Sequence, residues 1–185
     1  DQILAAIGGF NKIEFLDEND FRATPITIAR EKVENLQDHL MLIFTGISRY
    51  SSDIAKKKIE NIPKKKKDLT LMREMVDEGM DILSGSGSIT SFGKLLHESW
   101  MLKRSLADSI SSSYIDEIYD SACQSGAIGG KLLGAGGGGF LLLFARPEDQ
   151  PAIRERLKNL HCIPFEFETQ GSQIIVYQPD QTTPL

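Results

Sequence analysis

At the start of the chain, apolar and polar positions alternate in the two-residue rhythm of β structure. Residues 9–16 set Phe10, Ile13, Phe15 and Leu16 on mostly apolar positions, and the acidic stretch 17–20 supplies turn chemistry. Residues 24–28 then read as a partner strand. A charged connector leads to Leu40-Met41-Leu42-Ile43-Phe44, an unbroken apolar run of strand length closed by Thr45-Gly46. From there the period becomes helical. Ser52-Asp53 can cap a helix running to about Ile62 and stopped by Pro63. From Asp68, the residues Leu71, Met72, Met75, Val76, Met80 and Leu83 follow i, i+3/i+4 spacing until residues 84–87, Ser-Gly-Ser-Gly, end the helix. Helices over 91–109, with Leu95, Leu96, Trp100, Met101 and Leu106 on one stripe, and over 113–125, ending at Gly126, complete a helical layer. A glycine-rich segment, 129–139, runs into a buried strand at 140–145, and Pro147 starts a helix of about twelve residues. Strands at 163–168 and 172–178 come next, with a frayed tail over 179–185. There is no internal repeat and no low-complexity linker, so the pattern reads as one domain.

Composition narrows the function classes. A chain of 185 residues with 41% hydrophobic and 25% charged residues has the make-up of a globular domain. No apolar run approaches the roughly 18 residues that span a bilayer, so no membrane role is expected. The net charge of −5 argues against a nucleic-acid partner, because a phosphate backbone demands a basic face. The lysine runs at 56–58 and 64–67 read as solvated surface. Cys123 and Cys162 are too few for a disulfide scaffold and too isolated for a zinc site; they read as reduced thiols of a cytoplasmic protein, and no metal ligands are expected.

The sharpest signal is chemical. Residues 134–139 carry five glycines among six residues, which is costly in backbone entropy. Either the backbone takes angles closed to side chains, or something approaches it closely, a phosphate or a phosphate-binding loop above all, since bare amides point at anions as donors. A tight bulged connection between strands is the structural alternative. The segment is no Walker loop, because Lys131 precedes the glycines and no Gly-Lys-Ser/Thr comes after them; nor does it open a helix as a dinucleotide fingerprint does.

Lys-Leu-Leu-Gly-Ala-Gly-Gly-Gly-Gly-Phe over residues 131–140 resembles the third signature of the GHMP kinases (galactokinase, homoserine kinase, mevalonate kinase, phosphomevalonate kinase). Asp1-Gln2, with Gly8-Gly9 behind it, is similar to the Asp-Gln/Asn element of that family. Residues 42–49 and 97–104 are similar to the branch containing heptose 7-phosphate kinases and fucokinases. The resemblance implies an α+β fold, an antiparallel sheet with a helical layer, ferredoxin-like in its last portion. The nucleotide-wrapping signature of the family is nowhere in these residues. The expectation is therefore that 1–185 is the C-terminal domain, that residues 1–30 are the tail end of an N-terminal domain, and that the ATP-binding portion precedes it. A chain opening at Asp1-Gln2 straight into apolar sequence agrees with a segment of a longer protein.

By resemblance, the parent transfers the γ-phosphate of ATP, with Mg2+ carried by the nucleotide, to a sugar hydroxyl, the anomeric hydroxyl of a heptose 7-phosphate foremost. A fucokinase or galactokinase-like activity and a non-catalytic sugar-sensing relative are the alternatives. The partners implied are a sugar or sugar phosphate, ATP and the chain's own N-terminal domain; the fragment alone is expected to be inactive. Asp1 is the expected catalytic base. Gly134, Ala135, Gly136, Gly137 and Gly138 would present amides to phosphate or brace the nucleotide loop. Thr45, Gly46 and Arg49, emerging after a buried strand, are candidate substrate contacts, Arg49 as a fork for phosphate or hydroxyls. His97, Lys103 and Arg104 share a helix and are candidates to hold substrate or its phosphate. Lys131 is expected to face solvent, Trp100 to lie in the core, and the methionines to fill it.

Overall fold

The apolar run at 40–44 forms a strand at the centre of the chain's larger sheet in the computed structural model, which describes residues 2–17, 20–48 and 62–176. Two compact units are formed, one from residues 28–166 and the other from the two ends of the chain, up to Thr27 and from Phe167.

In the end unit, α1 (Gln2–Ile7) leads into a hairpin of β1 (Asn11–Asp17) and β2 (Asp20–Pro25), antiparallel with a bulge between Phe15 and Asp17. The second strand lies earlier than the expected 24–28, since pairing begins at Asp20, opposite Asp17. Phe10 meets Phe167 edge to face with ring centroids 4.9 Å apart. No strand forms over 172–176; there the Ser172 amide donates to Ala6 O at 3.0 Å. The backbone at Gly171 comes so near α1 that an added Cβ would stand 2.0 Å from Ala6 O, which turns the chain against the helix end rather than along a sheet. The last two residues expected in that strand, and the tail behind it, lie outside the described residues.

The larger unit begins with α2 (Arg30–His39), where the sequence reads only as a charged connector. Its apolar positions are few, and Leu36 is the residue it buries. β3 (Leu40–Phe44) comes next, then α3 (Lys66–Ser84), α4 (Thr90–Ser105) and α5 (Ser113–Gln124), capped by the Ser112 hydroxyl on the Ile115 amide. The helix expected over 52–62 lies outside the described residues except for its last position. β4 (Ala127–Leu132), β5 (Phe140–Ala145), α6 (Gln150–Arg156) and β6 (His161–Ile163) close the unit. The strand order β4-β5-β3-β6, antiparallel throughout, with helices between β3 and β4 and between β5 and β6, is the split β-α-β-β-α-β arrangement. The fold is thus α+β, an antiparallel sheet with a helical layer, and the ferredoxin-like order reaches back to β3.

Register fixes which face is buried. Met41 pairs with Leu143 and Ile43 with Leu141, which also faces Leu132. These side chains join Trp100, Ile115, Tyr119 and Ile153 in one core. Three expected boundaries shift. α4 ends at Ser105 rather than 109, because Leu106 and Ile110 donate to carbonyls three residues back and Asp108 and Ser109 favour turns. α6 has 7 residues instead of twelve, its last turn tightening from Leu157 to Leu160. The strand expected over 163–168 forms earlier instead, at His161–Ile163, ending where Pro164 has no N–H for the ladder. Among the described residues no helix is long and apolar enough to cross a membrane.

Candidate functional site

β4 places Gly129 where α4 presses on the sheet. A Cβ on Gly129 would lie 2.0 Å from Gly93 O, so these backbones touch with nothing between them. The first part of the glycine segment therefore serves helix–sheet packing. The part that remains, residues 133–139, connects β4 to β5.

Three segments of the larger unit hold this connection by its main chain. From α4, the Lys103 ammonium donates to Leu132 O at 2.7 Å and to Gly134 O at 2.8 Å. From the turn after α4, Ile110 O accepts from the Gly137 amide at 2.9 Å. From the loop after β3, Ile47 O accepts from the Gly139 amide at 2.8 Å, while the Thr45 amide and hydroxyl donate to Gly139 O at 2.9 and 2.8 Å. The approach is too close for side chains: at Gly138 a Cβ would meet Ile47 O at 2.7 Å, and at Gly136, with φ of +116°, it would meet Ile110 O at 2.8 Å. The Leu133 amide closes the hairpin on Phe140 O at 2.8 Å. Among the described residues, no acceptor is paired with the amides of Gly134, Ala135, Gly136 or Gly138. Four bare donors within five residues, beside a buried ammonium, make a loop suited to an anion.

Thr45 and Lys103, expected among the substrate contacts, both commit their polar atoms to this loop. Thr45 is fully buried and Lys103 nearly so. Gly46, at φ +77°, shapes the turn between Thr45 and Ile47. His97 and Arg104 are held elsewhere: His97 Nδ1 lies 2.7 Å from the Tyr119 hydroxyl, and Arg104 pairs with Asp116 at 3.2 Å. Asp116 also accepts from Ser111 at 2.6 Å, and an open cavity of about 500 Å³ lies beside Arg104, Asp108 and Asp116. Burial first, and then the Cys123 thiol beside it, holds the Tyr119 phenol well above its ordinary range, so it stays protonated. Trp100 is in the core, as its spacing predicts. Lys131 does not stand free in water: opposite Leu142 in the ladder it is partly buried, and desolvation pushes its ammonium pKa down. Asp1 and Arg49 lie outside the described residues.

Sequence reasoning misses Ile47 and Ile110, because both act through backbone carbonyls that any residue carries. The one signal near Ile110 is the serine-rich turn around it, which marks a loop but not its target.

Comparison with known proteins gives the chain its family. Residues 59–162 match the family model described as "GHMP kinases C terminal". The chain is 29% identical over 175 residues to D-glycero-alpha-D-manno-heptose 7-phosphate kinase of Campylobacter jejuni, covering 92% of this chain and 51% of that protein. It is 25% identical over 142 residues to the bifunctional fucokinase/GDP-fucose pyrophosphorylase of Arabidopsis thaliana, covering 74% of this chain and 13% of that protein. Among solved structures it is similar to a D-glycero-D-manno-heptose 1-phosphate kinase from Bacteroides thetaiotaomicron, with a TM-score of 0.59 and 25% identity over 95% of this chain and 49% of that one. The chain thus spans about half of the length of the first of these relatives and a smaller part of the second.

Proposed function

Because this chain belongs to the GHMP kinases, through the C-terminal module matched over residues 59–162, we propose that the intact protein is an ATP-dependent kinase acting on a heptose phosphate, with the anomeric hydroxyl of heptose 7-phosphate as acceptor. The observation that carries the reading is the braced glycine loop with its four unpaired amides. The heptose assignment is supported by the Campylobacter relative, matched over 92% of this chain.

Phosphoryl transfer asks a protein for positioning and charge stabilisation more than for covalent chemistry. The sugar oxygen bonds to the γ-phosphorus as the bridging bond to ADP breaks, and its proton passes to a carboxylate, the role assigned to Asp1. The amides of Gly134, Ala135, Gly136 and Gly138 would meet the charge on a phosphate, either the transferring group or the phosphate that the substrate already carries. Magnesium would arrive with the nucleotide, bridging its phosphate oxygens. Residues 1–30 would belong with an N-terminal domain that binds the nucleotide. Both cysteines are free thiols, in keeping with a cytoplasmic enzyme.

The test is ATP consumption by the intact protein offered heptose 7-phosphate, heptose 1-phosphate, fucose, galactose and mevalonate. Preferred turnover of heptose 7-phosphate is expected. Preference for fucose would support the second reading, a fucokinase, which the Arabidopsis relative favours. Turnover of mevalonate alone would refute a sugar substrate.

A further inference from the structure

We infer that Lys103 is a positioning residue: its buried ammonium, gripping the carbonyls of Leu132 and Gly134, aims and strengthens the Ala135 N–H as a donor to phosphate. The inference rests on the phosphate-cradling reading of the loop given above. Its basis is the planarity of the peptide unit. In a trans peptide the C=O of one residue and the N–H of the next point in opposite directions. Lys103 Nζ holds Gly134 O at 2.8 Å, so the Ala135 N–H is turned away from α4. The second grip, on Leu132 O at 2.7 Å, stops the loop entrance from rocking about the first.

Two peptides are therefore polarised by one charge, and their N–H groups meet different fates. That of Leu133 closes the hairpin on Phe140 O at 2.8 Å, while that of Ala135 has no acceptor among the described residues. A carbonyl bonded to a cation makes its own peptide N–H a better donor, since hydrogen bonds in series polarise one another. Lys103 is 8% exposed, so water and salt screen this effect little. Its Nζ lies 5.9 Å from the Trp100 ring centroid, within reach of a cation–π attraction that helps hold the side chain in place. The Ala135 side chain packs toward the core, which leaves the amide as the polar group that residue can offer a ligand. The sequence suggests Lys103 as a direct phosphate contact; the geometry makes it act through the loop instead.

The experiment tracks the backbone amides of 15N-labelled intact protein during titration with inorganic phosphate, in the wild type, Lys103→Gln and Lys103→Arg. In the wild type, Ala135 should move more than Gly134, Gly136 or Gly138. Lys103→Gln keeps a donor but removes the charge; phosphate should bind about tenfold more weakly and the lead of Ala135 should vanish. Lys103→Arg should stay within about threefold of the wild type. Unchanged phosphate binding in Lys103→Gln, or failure of the arginine to rescue, overturns the inference and leaves the phosphate loop standing. Should Lys103→Gln fail to fold, the wild-type comparison decides alone, equal movement at all four amides counting against it. No loop response to phosphate in the wild type would instead bring down the functional reading on which it rests.

Discussion

Gly136 combines a positive φ with close approach of another backbone, so Gly136→Ala is the sharpest test of the loop geometry. Its φ of +116° is one that a residue with a Cβ adopts only under strain of about 1–3 kcal/mol. The new methyl would also stand 2.8 Å from Ile110 O, 2.9 Å from its Cα and 3.2 Å from its Cγ2. Ile110 is fully buried and its carbonyl already accepts from the Gly137 amide, so it cannot simply withdraw. Pushing it back adds about 1 kcal/mol of overpacking. Weakening the Gly137 bond adds roughly 1 kcal/mol more. Part of this would be relieved by local rearrangement, and a net loss of about 3 kcal/mol is expected.

For a unit of this size each kcal/mol moves Tm by roughly 2–4 °C, so the variant should melt about 6–12 °C lower. Urea denaturation and calorimetry of the intact protein measure this directly. The control is Gly87→Ala, where a Cβ meets nothing within 4 Å and φ is ordinary; it should be neutral or stabilising by up to about 1 kcal/mol. A Gly136→Ala protein within about 1 kcal/mol of the wild type would mean that the loop does not lie against Ile110 as described.

Thr45→Val keeps the side-chain shape but removes the hydroxyl that donates to Gly139 O; since the Thr45 amide still holds that carbonyl, denaturation should show a loss of about 1–2 kcal/mol, with a larger fall in turnover if the loop acts on phosphate. Tyr119 gives a pH signature. Folded, it keeps a proton that the unfolded chain releases above about pH 10, so stability should fall as pH rises past that point, and Tyr119→Phe should flatten that limb of an alkaline denaturation curve. Lys131 has the opposite sign. Its folded pKa is lowered, so the unfolded chain binds the extra proton and stability should rise with pH toward the ordinary lysine range; Lys131→Met should be more stable than the wild type at neutral pH, by a margin that narrows as pH climbs.

Legibility tracked burial and period. β3 and β5 are apolar on both faces and bounded by turn residues, and α5 buries Ile115, Ile118, Tyr119 and Ala122 at helical spacing, so each could be read directly. α2 could not, because one buried leucine among charged neighbours leaves no stripe to see. β4 was hidden inside the glycine segment for a related reason. Glycine is a poor strand former, and what keeps Gly129 and Gly130 extended is the ladder to β5 and the backbone of α4 at Gly93, a partner far away in sequence. The same distinction divides the site. The glycine loop announces itself, since its cost in backbone entropy needs a reason. Its braces do not, because a carbonyl at Ile47 or Ile110 leaves no compositional trace. Lys103 suffers from the same asymmetry: a cation one turn from a tryptophan reads as a ligand contact until its two carbonyl partners are seen, 29 and 31 residues along the chain. A loop that binds by main chain must be held by main chain. On the proposed phosphate reading its specificity is therefore set by residues whose identity matters only through where the fold puts them, and substitutions that move α4 or the turn at Ile110 should alter phosphate binding without touching a glycine.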